Sequence, residues 1–144
     1  MMKPIAATSL LGLTMLFGAG ATLPAYANTS DAFVAPPSIV AFDQKSGGEI
    51  NIDYVYLPSN GYVAVYNSDT SGNPTGKPIG HAPVTKGDHR NVKVVLDETA
   101  NSGGRLWISL YKDADKQPSF DPGSGDTPVW SKDKLPAQNM IVVR

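Results

Sequence analysis

The sequence predicts an all-β protein, an antiparallel immunoglobulin-like β-sandwich of seven to eight short strands. Three observations predict it. Apolar residues alternate with polar ones in one run after another, and no sustained 3.6-residue period competes with them. Turn formers such as Asn60-Gly61, Gly87-Asp88 and Ser102-Gly103-Gly104 punctuate those runs at close spacing. Finally, the stretch after residue 37 is long enough to bury a core without staples, and the chain contains no cysteine to supply them.

The elements follow in order. Lys3, the apolar run 5–21 and Ala25-Tyr26-Ala27 form the charged, apolar and small-x-small regions of a secretory signal peptide, with cleavage expected after Ala27. Pro24 and the short apolar run argue against a membrane anchor, which needs about 20 apolar residues. Residues 28–37, ending in Pro36-Pro37, read as a tether, and 38–144 as the sandwich. "SIVAF" (38–42) is the first strand. "EINIDYVYL" (49–57) and "YVAVY" (62–66) flank "PSNG" and read as a hairpin, because Asn and Gly accept the positive φ of tight turns. Residues 67–78 read as a loop, and "IGHAPV" (79–84) as an edge strand demoted by Pro83. "HRNVKVVL" (89–96) puts Val92, Val94 and Leu96 on one face. "RLWISLY" (105–111) puts Leu106, Ile108 and Leu110 on one face and Trp107, Ser109 and Tyr111 on the other. "NMIVV" (139–143) closes the set.

Composition excludes several classes. The charge is nearly balanced, with 12 Lys and Arg against 13 Asp and Glu, so there is no electrostatic footprint for nucleic acid or an anionic membrane. The lack of cysteine removes thiol nucleophiles, thiolate zinc sites, iron–sulfur clusters and blue-copper centres.

Three motifs in fixed order carry a resemblance. They are Leu57-Pro58 with Gly61, then Gly80, Gly87, His89, Asn91-Val92, Val94 and Leu96, then Leu106, Asp113, Phe120-Asp121 and Asp126. Over residues 48 to 130 the chain resembles a family of secreted domains of unknown function, abundant in surface proteins of halophilic archaea and present in bacteria. The resemblance implies an exported all-β domain and no particular activity. This chain is far less acidic than the halophile members.

The acidic stretch "YKDADKQPSFDPGSGDTP" (111–128) is the main candidate for chemistry. Calcium takes six to eight oxygens from a loop that wraps it. Asp113, Asp115, Gln117, Ser119 and Asp121 stand at alternate positions, as at the start of an EF-hand loop, and Asp126 offers a later carboxylate. Pro118 replaces the EF-hand glycine, Ser124 the final glutamate, and the flanks are strands, so a calcium site here is not an EF-hand. The competing reading is a solvated turn, which is built from the same residue types.

Other chemistry is thinner. His81, His89 and Met140 have copper-ligand chemistry but no supporting spacing, and a hydrogen bond to backbone is the plainer role for His89. "GSG" (123–125) lacks the nucleophile-elbow context. Trp107 and Tyr111, with Tyr54 and Tyr56, offer flat rings for a glycan or protein ligand, against the alternative that loops cover Trp107. The reading is an exported, periplasmic or extracellular, non-catalytic structural or binding domain at the cell envelope, and its sharper form has the Asp113–Asp126 loop holding calcium. A glycan- or protein-binding module is the alternative, and a small metal-dependent or hydrolytic enzyme ranks last.

Overall fold

The computed structural model describes residues 34–100, 102–131 and 135–144, so the expected signal peptide (1–27) and the first part of the expected tether (28–33) lie outside the described residues. Among the described residues eight strands form: β1 (Ser38–Val40), β2 (Glu49–Leu57), β3 (Gly61–Ser68), β4 (Pro74–Val84), β5 (Gly87–Val95), β6 (Arg105–Asp113), β7 (Asp126–Pro128) and β8 (Gln138–Val142). They make a three-stranded sheet, β1-β2-β5, and a five-stranded sheet, β4-β3-β6, in which β7 and β8 share the free side of β6. All the strand pairings are antiparallel. No helix among the described residues is long and apolar enough to cross a membrane.

The core lies between the sheets. Ile50, Ile52, Val55 and Leu57 of β2, Val63 and Val65 of β3, Leu106, Ile108 and Leu110 of β6, and Ile141 of β8 are all buried. Full burial of one such aliphatic side chain stabilises by about 1.5–3 kcal/mol. On β6 the alternation expected from sequence holds: the Leu-Ile-Leu face is core and the Trp107–Ser109–Tyr111 face is outer. On β3 the residues from Gly61 to Tyr66 are buried on both faces, because β3 lies between β4 and β6 and loops cover its outer side.

The hairpin expected at residues 58–60 does not form. β2 pairs with β1 and β5, β3 pairs with β4 and β6, and the Pro58–Asn60 connection passes from one sheet to the other. Gly61 is there for close approach: a Cβ would collide with the Tyr111 carbonyl on β6. Asn60 fastens the crossing, with its side-chain oxygen accepting from Lys86 N at 2.9 Å and its carbonyl from Asp113 N at 3.0 Å. The true hairpin is β3–β4, and its turn is residues 69–73 inside the expected loop. There Asp69 accepts from the backbone amides of Ser71 and Asn73, a local side-chain turn that competes with strand pairing.

The alternation on β2 changes phase between Ile52 and Val55. Opposite this point on β5, Asn91 has φ of +53°, a left-handed conformation that Asn tolerates better than most residues. On one side of the sandwich Gly80 of β4 bridges Leu96, just past β5. On the other, Gln44 pairs in parallel with Val143.

Candidate metal centre at the Asp113–Asp126 loop

β6 and β7 pair in register up to Asp113 and Asp126, which face each other as the last cross-strand couple before the loop 114–125. Like charges placed directly opposite are destabilising unless something offsets them. Asp115 joins them: one oxygen from each of Asp113, Asp115 and Asp126 lies within 4.8 Å of the other two. Two oxygens on opposite sides of one calcium ion, each at 2.3–2.6 Å, stand about 5 Å apart. The three carboxylates are therefore close enough to share one ion.

Backbone amides orient each of them. Asp113 Oδ1 accepts from Lys116 N at 2.7 Å, Asp115 Oδ1 from Gln117 N at 2.9 Å, and Asp126 Oδ2 from Asp121 N at 2.8 Å. Lys116 takes a positive φ of 59° to present its amide. Gly125 makes room for Asp115, since a Cβ at 125 would overlap the Asp115 carboxylate. Asp126 is 1 % exposed, and its Oδ1 is buried with no hydrogen-bond partner among the described residues. A buried carboxylate oxygen without a partner loses its hydration for nothing, a cost that a cation or an ordered water removes.

Tyr62 closes the inner side. Its hydroxyl donates to Gln117 O at 3.1 Å, and burial followed by the charges of Asp113, Asp126 and Asp115 raises its pKa. Phe120 folds the middle of the loop onto the outer face of the sheet, with ring centroids 5.1–5.2 Å from those of Tyr62, His81 and Tyr111.

Of the six residues nominated from sequence, Asp113, Asp115 and Asp126 converge, and the other three serve differently. Asp121 bonds Ser124 and supplies its backbone to the turn, accepting from Gly125 N and Asp126 N. Gln117 contributes its backbone, and Ser119 is exposed. The alternating spacing is therefore not what gathers the three carboxylates; the β6–β7 register is. Tyr62 and Gly125 carry no signal in the sequence, because each acts from a distant or neighbouring segment through packing or the space it leaves, and Asn60 is visible there only as a turn former.

The histidines lie apart in role. His81 packs on Phe120, while His89 Nε2 makes its bond to the Thr85 carbonyl at 2.9 Å, the plain role expected of it. Trp107 and Tyr111 also separate. Trp107 is half-buried, its indole N–H donating to Gly72 O at 2.9 Å under the 69–73 turn, as the covered alternative has it. Tyr111 meets the Tyr66 hydroxyl at 2.6 Å in an open groove. Tyr54, on the three-stranded sheet, bonds Asp88 and lies under Arg90, whose guanidinium carbon is 5.5 Å from the ring centroid.

Among known proteins, residues 37–142 match the family model described as a domain of unknown function, DUF7282. No curated protein and no solved structure matches the chain. The family match takes in every strand described above, from β1 to β8, and the whole acidic loop. The chain belongs to this family of domains of unknown function, DUF7282.

Proposed function

We propose that the protein is an exported, non-catalytic β-sandwich of the cell envelope whose Asp113–Asp115–Asp126 end holds calcium. The observation that carries this reading is Asp126, a buried carboxylate beside two others, with an oxygen that has no partner among the described residues. Calcium suits the site better than magnesium, because a loop of carboxylates and carbonyls provides flexible oxygen coordination and no octahedral cage. The ion offsets the charge repulsion and ties the loop to the strand ends, which stiffens that end of the sandwich for a partner in the envelope or for a glycan. Export rests on the signal-like residues 1–27.

Thermal unfolding of the purified chain in excess EDTA, then in millimolar calcium, tests the metal. A ligand bound only by the folded state adds about 2.7 kcal/mol at a hundredfold excess over its Kd, which for a domain of this size is a shift of roughly 10 °C or more. Superimposed curves remove the calcium reading. Mass spectrometry of the chain recovered after expression in a secreting host tests export, with an N-terminus at Asn28 as the expected result.

A further inference from the structure

On the outer face of the five-stranded sheet a groove of about 350 Å³ lies between the start of β4 and the end of the 114–125 loop with β7. Tyr66, Ser109, Tyr111 and Gln138 line its floor, and its rims are the 74–76 segment on one side and Pro122, Gly123 and Pro128 on the other. The volume falls at the lower end of the ~300–1,000 Å³ range of small-molecule sites. Among the described residues, none that lines it is charged.

The polar groups are held in place with hydrogen-bonding capacity left over. Gln138 Nε2 donates to Ser109 Oγ at 3.0 Å, which leaves the Gln138 carbonyl oxygen and the Ser109 O–H available. Ser109 is only 4 % exposed, so its hydroxyl cannot turn freely into solvent. In the Tyr66–Tyr111 pair one hydroxyl donates to the other, and the second keeps its proton for an outside acceptor. The groove thus offers two O–H donors and one amide acceptor beside tyrosine edges and proline rims. A sugar hydroxyl both donates and accepts, and the C–H face of a pyranose packs on such apolar surfaces. An ionic ligand would meet no counter-charge from the described lining residues and would lose hydration on entry.

We infer that this groove binds a neutral saccharide through Ser109, Gln138 and the Tyr66–Tyr111 pair. The inference does not depend on metal at the acidic loop, so its test is run in both calcium and EDTA. Amide NMR spectra of the purified chain are titrated to about 10 mM with cellotetraose, chitotetraose, tetragalacturonate and a proline-rich peptide, a range that detects Kd values near 1 mM. Saturable shifts from a neutral sugar at Ser109, the Gln138 side-chain amide and Gly123 are the expected result. Gln138→Leu, at an exposed position, should weaken that binding about tenfold, the value of one well-placed hydrogen bond. Gly76→Trp should abolish it with unchanged melting temperature, since a Cβ at 76 meets nothing within 4 Å. The inference is overturned if neither neutral sugar gives saturable shifts there, or if both variants bind like the parent. It is also overturned if only the acidic sugar or the peptide binds.

Discussion

Replacing Asp126 with asparagine should change stability in opposite directions with and without calcium. The three carboxylates lie within 4.8 Å of one another, and Asp126 takes part in two of the three pairs. At that separation each pair costs about 1 kcal/mol even at the dielectric constant of water, and more where water is partly excluded. The Asp126→Asn side chain retains an oxygen to accept from Asp121 N and gains an amide that can donate to its neighbours. In EDTA the variant should therefore be more stable by about 2 kcal/mol, a rise in melting temperature of roughly 8 °C or more. In calcium at a thousandfold excess over the parent's Kd, the parent gains about 4.1 kcal/mol and the variant, short of one carboxylate ligand, gains little. The order then reverses, with the parent ahead by about 2 kcal/mol. Calorimetry of both proteins under both conditions measures the four melting temperatures. If Asp126→Asn destabilises by the same amount in EDTA and in calcium, Asp126 only caps the turn and the metal argument fails.

Gly61→Ala should destabilise by about 3 kcal/mol or more, because the new methyl collides with the Tyr111 carbonyl and forces β3 from β6, whereas Gly76→Ala should stay within about 0.5 kcal/mol. Urea titrations of the two variants give the comparison. Burial first, then its bond to Tyr111, pushes the Tyr66 pKa well up, so the unfolded chain loses this proton earlier than the folded one. The stability it contributes is whole below about pH 10 and falls as the pH climbs beyond, and Tyr66→Phe should flatten that fall in denaturation curves. Asp43 behaves in the opposite sense: the Val142 amide, then Arg144, lower its pKa. Its contribution is present above about pH 4 and lost as the pH drops below it, and Asp43→Asn should reduce the acid-side slope of melting temperature against pH.

Much of the fold is legible in the residues because burial on one face writes period two into a strand. β6 shows this most plainly, with Leu106, Ile108 and Leu110 inside as their spacing requires. The Pro58–Gly61 connection departs from the expected hairpin for a physical reason. Asn-Gly is suited to a tight turn, but here Asn acts by its side chain and Gly by having none, roles that depend on Lys86 and Tyr111. The phase change on β2 is likewise marked only by Asn91 on the strand opposite. For the candidate site, the carboxylates are visible in sequence but their grouping is not. Asp126 is distant in the loop and adjacent in space only because β7 returns along β6, and the space for Asp115 is set by an absent side chain at Gly125. The groove is half visible, since Tyr111 stands out as a ring on the outer face while Tyr66, Ser109 and Gln138 come together only across strand pairs.

The pairing of Gln44 with Val143 has a mechanical meaning. In a parallel bridge, tension applied before residue 44 and beyond residue 143 pulls the two segments along their length in opposite directions. Gln44 N to Val142 O, Ser46 N to Arg144 O and Arg144 N to Gln44 O then bear the load together instead of parting one by one. The Asp43 carboxylate, bonded to both Val142 N and Arg144 Nη2, acts as a clamp on the same seam. Under such a pull the domain would resist stretching at this short stretch of backbone, beside the Arg105 end of β6 and not the Asp113 end that carries the acidic loop. Asp43→Ala should lower the force at which a single molecule gives way.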